Sequence, residues 1–126
     1  MIEGLFNQTN YVAAKKMLDV TAMRHEAIAS NLAHSETPHY KRLDVAPSFA
    51  SELQQAVASK DAGTIHQLSP RLAIDTTATA SSKDGNTVQL ESELMNLTQN
   101  FMEHQLETQM VTGAMLKLRL AITGKG

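Results

Sequence analysis

The last third of the chain carries an apolar seam in alternating steps of four and three: Leu90, Leu94, Leu97, Phe101, His104, Thr108, Val111, Met115, Leu118 and Ile122. That spacing puts every member on one face of a helix winding at about 3.5 to 3.6 residues per turn, and His104 and Thr108 are its only interruptions. Asn86 with Gln89 three residues later resembles a helix-start capping pair. Glu91 and Glu93 near the start and Lys117 and Arg119 near the end complement the helix dipole, and Gly124 is a stop signal. The pattern predicts a helix from Thr87 to Thr123, roughly 50 Å long. Met95, Met102, Leu106, Met110, Leu116 and Leu120 give it a second apolar side, whereas Glu107 falls on the polar side. Two apolar sides require two sets of neighbours.

The first third carries a narrower stripe, Ala14, Met17, Leu18, Thr21, Ala22, His25, Ile28, Ala29 and Leu32, with Lys15, Asp19 and Glu26 opposite. Pro38 lacks an amide donor and disfavours a helical Thr37, so this helix is expected to end between Ala33 and Ser35. Between Lys41 and Gly85 the period fades. Pro47 can open a short helix with Phe49, Leu53 and Val57 on one side, Arg71 to Asp75 can form a short strand, and Thr76 to Gly85 reads as a flexible linker. Neither short element is a core by itself.

The expected fold is mostly α, with long N- and C-terminal helices paired as an antiparallel coiled-coil-like hairpin around a loop-rich, partly disordered middle. It is one structural domain: residues 1–41 hold the first helix and its turn, 42–85 the flexible middle, and 86–126 the heptad helix. The expected pairing and assembly seam is Leu18, Ile28 and Leu32 with Leu90, Leu94, Leu97, Phe101, Val111, Met115, Leu118 and Ile122. The first helix can cover one apolar side of the last helix, which leaves the other as a surface between subunits.

Composition removes other classes. Aromatic residues are 4% of the chain and Trp is absent, which argues against a thick globular core. The 11 basic and 13 acidic residues give a net charge of −2 without a basic block, so nucleic acid is not an expected partner. Without Cys there is no disulfide or thiolate chemistry. Met1 to Thr9 lacks a basic stretch followed by an apolar one, and no stretch reads as a membrane span, so neither a Sec-type signal peptide nor direct membrane insertion is expected. Any export needs another route.

No phosphate loop, G-x-S-x-G elbow or H-E-x-x-H motif is present, so no catalytic residues and no cofactor are expected. His25 and His104 sit on the apolar stripes and read as packed histidines, and the Met residues of the last helix read as adaptable packing. His34, Glu36 and His39 share one turn, but two His and a Glu on a loop make only a loose zinc site, so no metal is expected.

The turn after the first helix runs Asn31-Leu32-Ala33-His34-Ser35-Glu36-Thr37-Pro38-His39-Tyr40-Lys41. By its residues alone it reads as a helix stop followed by a proline turn. It also resembles the N-(I/L)-A-N-x-x-T-P-G-Y segment of the flagellar rod and hook family of axial proteins. Asn31, Leu32, Ala33, Thr37, Pro38, Tyr40 and Lys41 agree, His34 stands for the usual Asn, and His39 for the usual Gly, where a left-handed turn would strain a non-Gly residue.

Further stretches are similar to the basal-body rod subunits of that family: Leu43-Asp44-Val45 to Phe49-Ala50-Ser51-Glu52-Leu53, the Asp84-Gly85-Asn86-Thr87-Val88 entry, the Glu93 position and the Leu118 to Gly124 ending. The resemblance implies a structural subunit of the proximal rod, exported by the flagellar type III apparatus without a cleaved signal peptide. It would assemble in the periplasm into a hollow axial tube in an open helical array. Implied partners are other rod subunits, the adaptor between rod and MS ring, and the type III export gate. Phe49 and Leu53 resemble the family's gate-recognition motif, though one face of a short packed helix accounts for their spacing equally well. A different rod subunit, or a cytosolic helical-hairpin adaptor or chaperone, is the alternative. The adaptor would form a discrete soluble oligomer, the rod subunit an open assembly.

Overall fold

The computed structural model of the chain describes residues 8–80 and 83–124. Residues 1–7, most of the stretch in which no Sec-type signal was expected, and Ser81 and Ser82 of the expected linker, lie outside the described residues. The described chain is mostly helical, with a long helix near each end.

Helix α1, Gln8–Ala33, ends where the proline turn predicts. His34 donates its amide back to Ser30 at 3.1 Å and to Asn31 at 3.2 Å, and the chain then turns away. Its buried face is Ala13, Ala14, Thr21, Ala27, Ile28 and Asn31, mostly small side chains that allow close approach.

The middle segment carries more regular structure than the sequence pattern alone shows. Strand β1, Leu43–Val45, pairs antiparallel with β2, Leu72–Ile74, with Asp44 opposite Ala73. The ladder is extended at both ends by Ala46 donating to Arg71 at 2.8 Å and Asp75 donating to Arg42 at 2.9 Å. Between the strands lie α2, Ser48–Ala58, entered at Pro47, and α3, Ala62–Gln67, capped by the Asp61 side chain accepting from the Gly63 amide at 3.0 Å. The short helix and short strand are present, but the segment is more than loop: Val45, Ala46, Phe49, Ala56 and Ile65 are buried. These elements are too short to show a period, and they bury their apolar residues against α1 and each other rather than along a repeating face.

Helix α4, Leu90–Thr123, starts three residues later than the pattern predicts. Gln89 is its N-cap without a side-chain capping bond, and Asn86, the expected cap, lies outside the helix and is engaged elsewhere. At the far end Gly124 takes the left-handed conformation, φ 69°, and donates to Leu120 at 3.0 Å, which stops the helix. Helices α1 and α4 lie against one another, with contact positions running in opposite order: Arg24 meets Glu103, Thr21 meets Glu107, and Tyr11 shares a groove with Met115, Leu118 and Ile122.

Candidate assembly surface

The turn motif is organised around Asn31, which has no exposed surface. Its amide donates to the Leu43 carbonyl at 2.8 Å and its side-chain oxygen accepts from the Leu43 amide at 2.8 Å, so one side chain acts as the missing strand on the free edge of β1. Tyr40 places its hydroxyl 2.9 Å from Ser30 Oγ, and its ring stacks on His34 with centroids 4.6 Å apart.

The segment entering α4 closes on this turn. Asn86 donates to the carbonyls of His34 at 2.9 Å and Thr37 at 2.7 Å, Thr87 donates its amide to Tyr40 at 3.0 Å, and Arg42 donates its amide to Thr87 Oγ1 at 2.9 Å. Asn86 is thus a clasp between distant motifs rather than a helix cap. His39 adopts the left-handed conformation, φ 62°, with its amide donating to Asp84 at 2.8 Å. His is among the residues that tolerate this region, so the turn survives without the family's Gly. The His39 ring lies against Gly85, φ 79°, where an added Cβ would come within 2.8 Å of Nδ1. His34, Glu36 and His39 therefore do not converge, and among the described residues no group of three or more His, Cys, Asp or Glu is placed to hold a metal ion.

Arg42 is a hub that the sequence pattern does not reveal. Its Nε donates to Glu93 Oε1 at 2.6 Å, and its Nη1 pairs with Asp75 and lies 3.6 Å from Asp44. Burial works to lower the guanidinium pKa, but the hydrogen bond and charge of Glu93, with Asp75 and Asp44, more than offset it and hold the pKa above its ordinary value. The Asp75 carboxyl is held below the usual carboxylate range, first by the Thr77 hydroxyl, then by the Thr77 amide and Arg42 against some desolvation. This network joins β1, β2 and the first turn of α4.

The decisive geometry is the orientation of α4. Its buried residues are Glu93, Asn100 and Glu107, all polar and seven apart. Asn100 donates to the Thr21 carbonyl at 2.8 Å, Thr21 Oγ1 donates to Glu107 at 3.2 Å, and His104 Nδ1 lies 3.0 Å from Thr21 Oγ1. Glu93 Oε2 and Asn100 Oδ1 are buried without a hydrogen-bond partner. Burial, reinforced by the nearby Glu103 charge, pushes the Glu107 carboxyl pKa up against the Thr21 hydrogen bond and Arg24. The side of the helix read as polar and outward is the side turned to α1.

Each residue advances about 100° around a helix. From the Glu93, Asn100, Glu107 line, Leu97, Val111 and Leu118 lie about 40° round and are half-buried. Leu94, Phe101, Met115 and Ile122 lie about 100° round and are exposed, as is Leu90. Helix α1 therefore meets one edge of the expected seam and leaves the other edge open. The second apolar side, Met95, Met102, Leu106, Met110, Leu116 and Leu120, is exposed as well. Among the described residues, Met17 and Ile74 are the only exposed large apolar side chains not on α4. On α1, Ile28 is buried and Leu18 and Leu32 are half-buried.

The remaining expected residues are dispersed. Phe49 is 2% exposed and Leu53 half-buried on the inner face of α2, while Ala33, Thr37, Pro38 and Lys41 are exposed around the turn. Among the described residues no helix is long and apolar enough to cross a membrane. Reading the sequence missed Arg42, Asn100 and the inward role of Glu107. The polar line at seven-residue spacing was the available signal for the last two.

No family model matches the chain. Among curated proteins, it is similar to the flagellar basal body rod protein FlgB of Borrelia hermsii, 30% identical over 113 aligned residues that cover 75% of this chain and 82% of that protein. The FlgB of Escherichia coli K12 is 29% identical, with 79% of this chain and 82% of the relative covered, and that of Cereibacter sphaeroides 28%, with 81% and 84% covered.

Proposed function

Because the chain belongs to the family of the flagellar basal body rod protein FlgB, we propose that it is a structural subunit of the flagellar basal-body rod. Helices α1 and α4 form an antiparallel coiled-coil-like hairpin, and copies of it assemble into a hollow axial tube. The chain reaches the proximal rod in the periplasm by type III export, with the export gate reading Phe49 and Leu53. Its neighbours there are other rod subunits and the adaptor to the MS ring. The role is structural, with no catalytic step and no cofactor.

The observation that carries this reading is the outward apolar surface of α4. A helix that turns Glu93, Asn100 and Glu107 to its own chain and Leu94, Phe101, Met115 and Ile122 to solvent is arranged for neighbours. Apolar patches of this extent on a soluble chain mark interaction surfaces. The clasp between residues 31–42 and 84–87 fixes where α4 departs from the subunit, and so the direction in which that surface is presented.

Purification of detergent-resistant hook and basal-body particles tests the reading. The chain is expected in the particles, and its deletion is expected to leave cells without hooks and non-motile. Recovery of the chain as a discrete cytosolic oligomer, with intact particles in the deletion strain, would establish the adaptor instead.

A further inference from the structure

A groove of about 680 Å³ opens between the N-terminal half of α1, helix α2 and the middle of α4. Ala13, Ala14 and Met17 line one side and Leu53 and Val57 the other, with Met110 at the α4 wall. Glu103 and Glu107 supply the acidic groups of that wall, and Arg24 is shared between Asp44 at 3.3 Å and Glu103 at 3.6 Å. The Glu107 carboxylate is left as the groove's excess charge, so an apolar ligand with a flanking cation fits it.

The C-terminal half of α4 presents that combination. Leu116 and Leu120, four residues apart and both exposed, form one ridge, with Lys117 and Arg119 on either side of it. No acidic residue follows Glu107 in the sequence. On a helix advancing about 100° per residue, Leu116 lies about 180° round from Glu107, so no chain can place this ridge in its own groove.

We propose that the groove receives the Leu116 and Leu120 ridge of a second copy of this chain. The proposal rests on the rod reading and adds which surface meets which. Lys117 of the donor approaches Glu107 and Glu103 of the acceptor as the two leucines cover Ala14, Leu53 and Val57. The donor's groove and the acceptor's ridge stay free, so the contact is head-to-tail and adds copies without closing on itself.

The chain contains no cysteine, which makes disulfide mapping clean. Strains would carry Leu53→Cys/Leu120→Cys, or Val57→Cys/Leu116→Cys, as the sole copy, and isolated particles would be oxidised and resolved without reductant. The expected result for either pair is a ladder of dimers, trimers and higher multimers of this chain. It should need both cysteines and exceed a Glu26→Cys/Leu120→Cys control at least tenfold. Monomers alone, dimers alone, or a crosslink to a chain of different mass overturns the proposal, the last by putting another subunit in the groove. Normal particles without the ladder leave the rod reading standing, whereas particles that lack even the parent chain sink that reading first.

Discussion

Phe101→Glu separates what α4 does for its own subunit from what it does for an assembly. Phe101 keeps 61% of its surface exposed. With full burial of a Phe at about 2–3 kcal/mol, the part already covered contributes about 1 kcal/mol to the isolated fold, and the part still open about 1.5 kcal/mol to a neighbour contact. A carboxylate placed in that dry contact adds a penalty of roughly 3 kcal/mol unless it escapes or is neutralised. The substitution should therefore lower unfolding stability by about 1 kcal/mol, since Glu is also a good helix former. It should weaken each assembly contact by about 4 kcal/mol, roughly a thousandfold. Glu93→Ala should do the reverse within the subunit, costing about 3 kcal/mol because Arg42 loses its most buried partner. Urea unfolding of the isolated chains followed by far-UV circular dichroism gives the first quantity, and particle yield with swimming in soft agar reports the second. Phe101→Glu cells that build hooks and swim like the parent would refute the assembly role of this face. A Phe101→Glu chain destabilised by more than about 3 kcal/mol would mean that Phe101 is a folding residue, contrary to its exposure.

Asn31→Ala leaves the Leu43 amide and carbonyl without their partner, and at about 1–2 kcal/mol for each the loss should reach about 2–4 kcal/mol in urea unfolding; a change under about 1 kcal/mol would mean that water replaces the side chain. Phe49→Ala with Leu53→Ala should destabilise the fold by roughly 3–5 kcal/mol. A looser fold alone would ease export of an unfolded chain, so a fall in secretion marks recognition by the gate, and unchanged or increased secretion assigns both residues to packing. Glu107→Gln keeps an oxygen for the Thr21 hydroxyl and removes a buried charge, so it should raise stability at neutral pH. The folded pKa of Glu107 lies above its ordinary 4.5, so the parent takes up this proton first in the folded state and gains stability as pH falls from neutral towards 4.5. The advantage of the Gln variant should therefore shrink across that window, and a pH-independent difference in urea midpoints would contradict the assigned cause.

The span of α4, its stop at Gly124, the end of α1 and the short elements after Pro47 and around Ile74 were legible because each has a local cause. The orientation of α4 was not. Periodicity says which apolar residues share a face, but not what covers them, and a subunit built for neighbours breaks the usual rule that the apolar face turns to its own core. Asn86 was misassigned for a related reason: a capping side chain and a clasp side chain look the same in sequence, and only the proximity of His34 and Thr37 distinguishes them. Arg42 had no readable signal at all, because its partners Asp75 and Glu93 lie 33 and 51 residues away.

The inward polar line has a further physical consequence. Glu93 and Asn100 each bury an atom without a partner, and Glu107 buries a carboxylate, so contact with α1 gives α4 register and direction at a cost in stability. The apolar burial that holds the subunit comes instead from Ile28, Phe49, Val45 and Ile65, between α1 and the middle segment. Beyond Val111, where Met115, Leu116, Leu120 and Ile122 are exposed, α4 has little covering it except the groove beside Tyr11. That half of the helix is the part whose order depends most on neighbours. Hydrogen exchange should therefore be fast there in the free subunit and slow in the rod, whereas the amides of Asn31, Leu43 and Phe49 should be protected in both. Equal protection of the two halves of α4 in the free chain would mean that the intrachain contact alone sustains the helix, and the outward apolar face would then need another explanation.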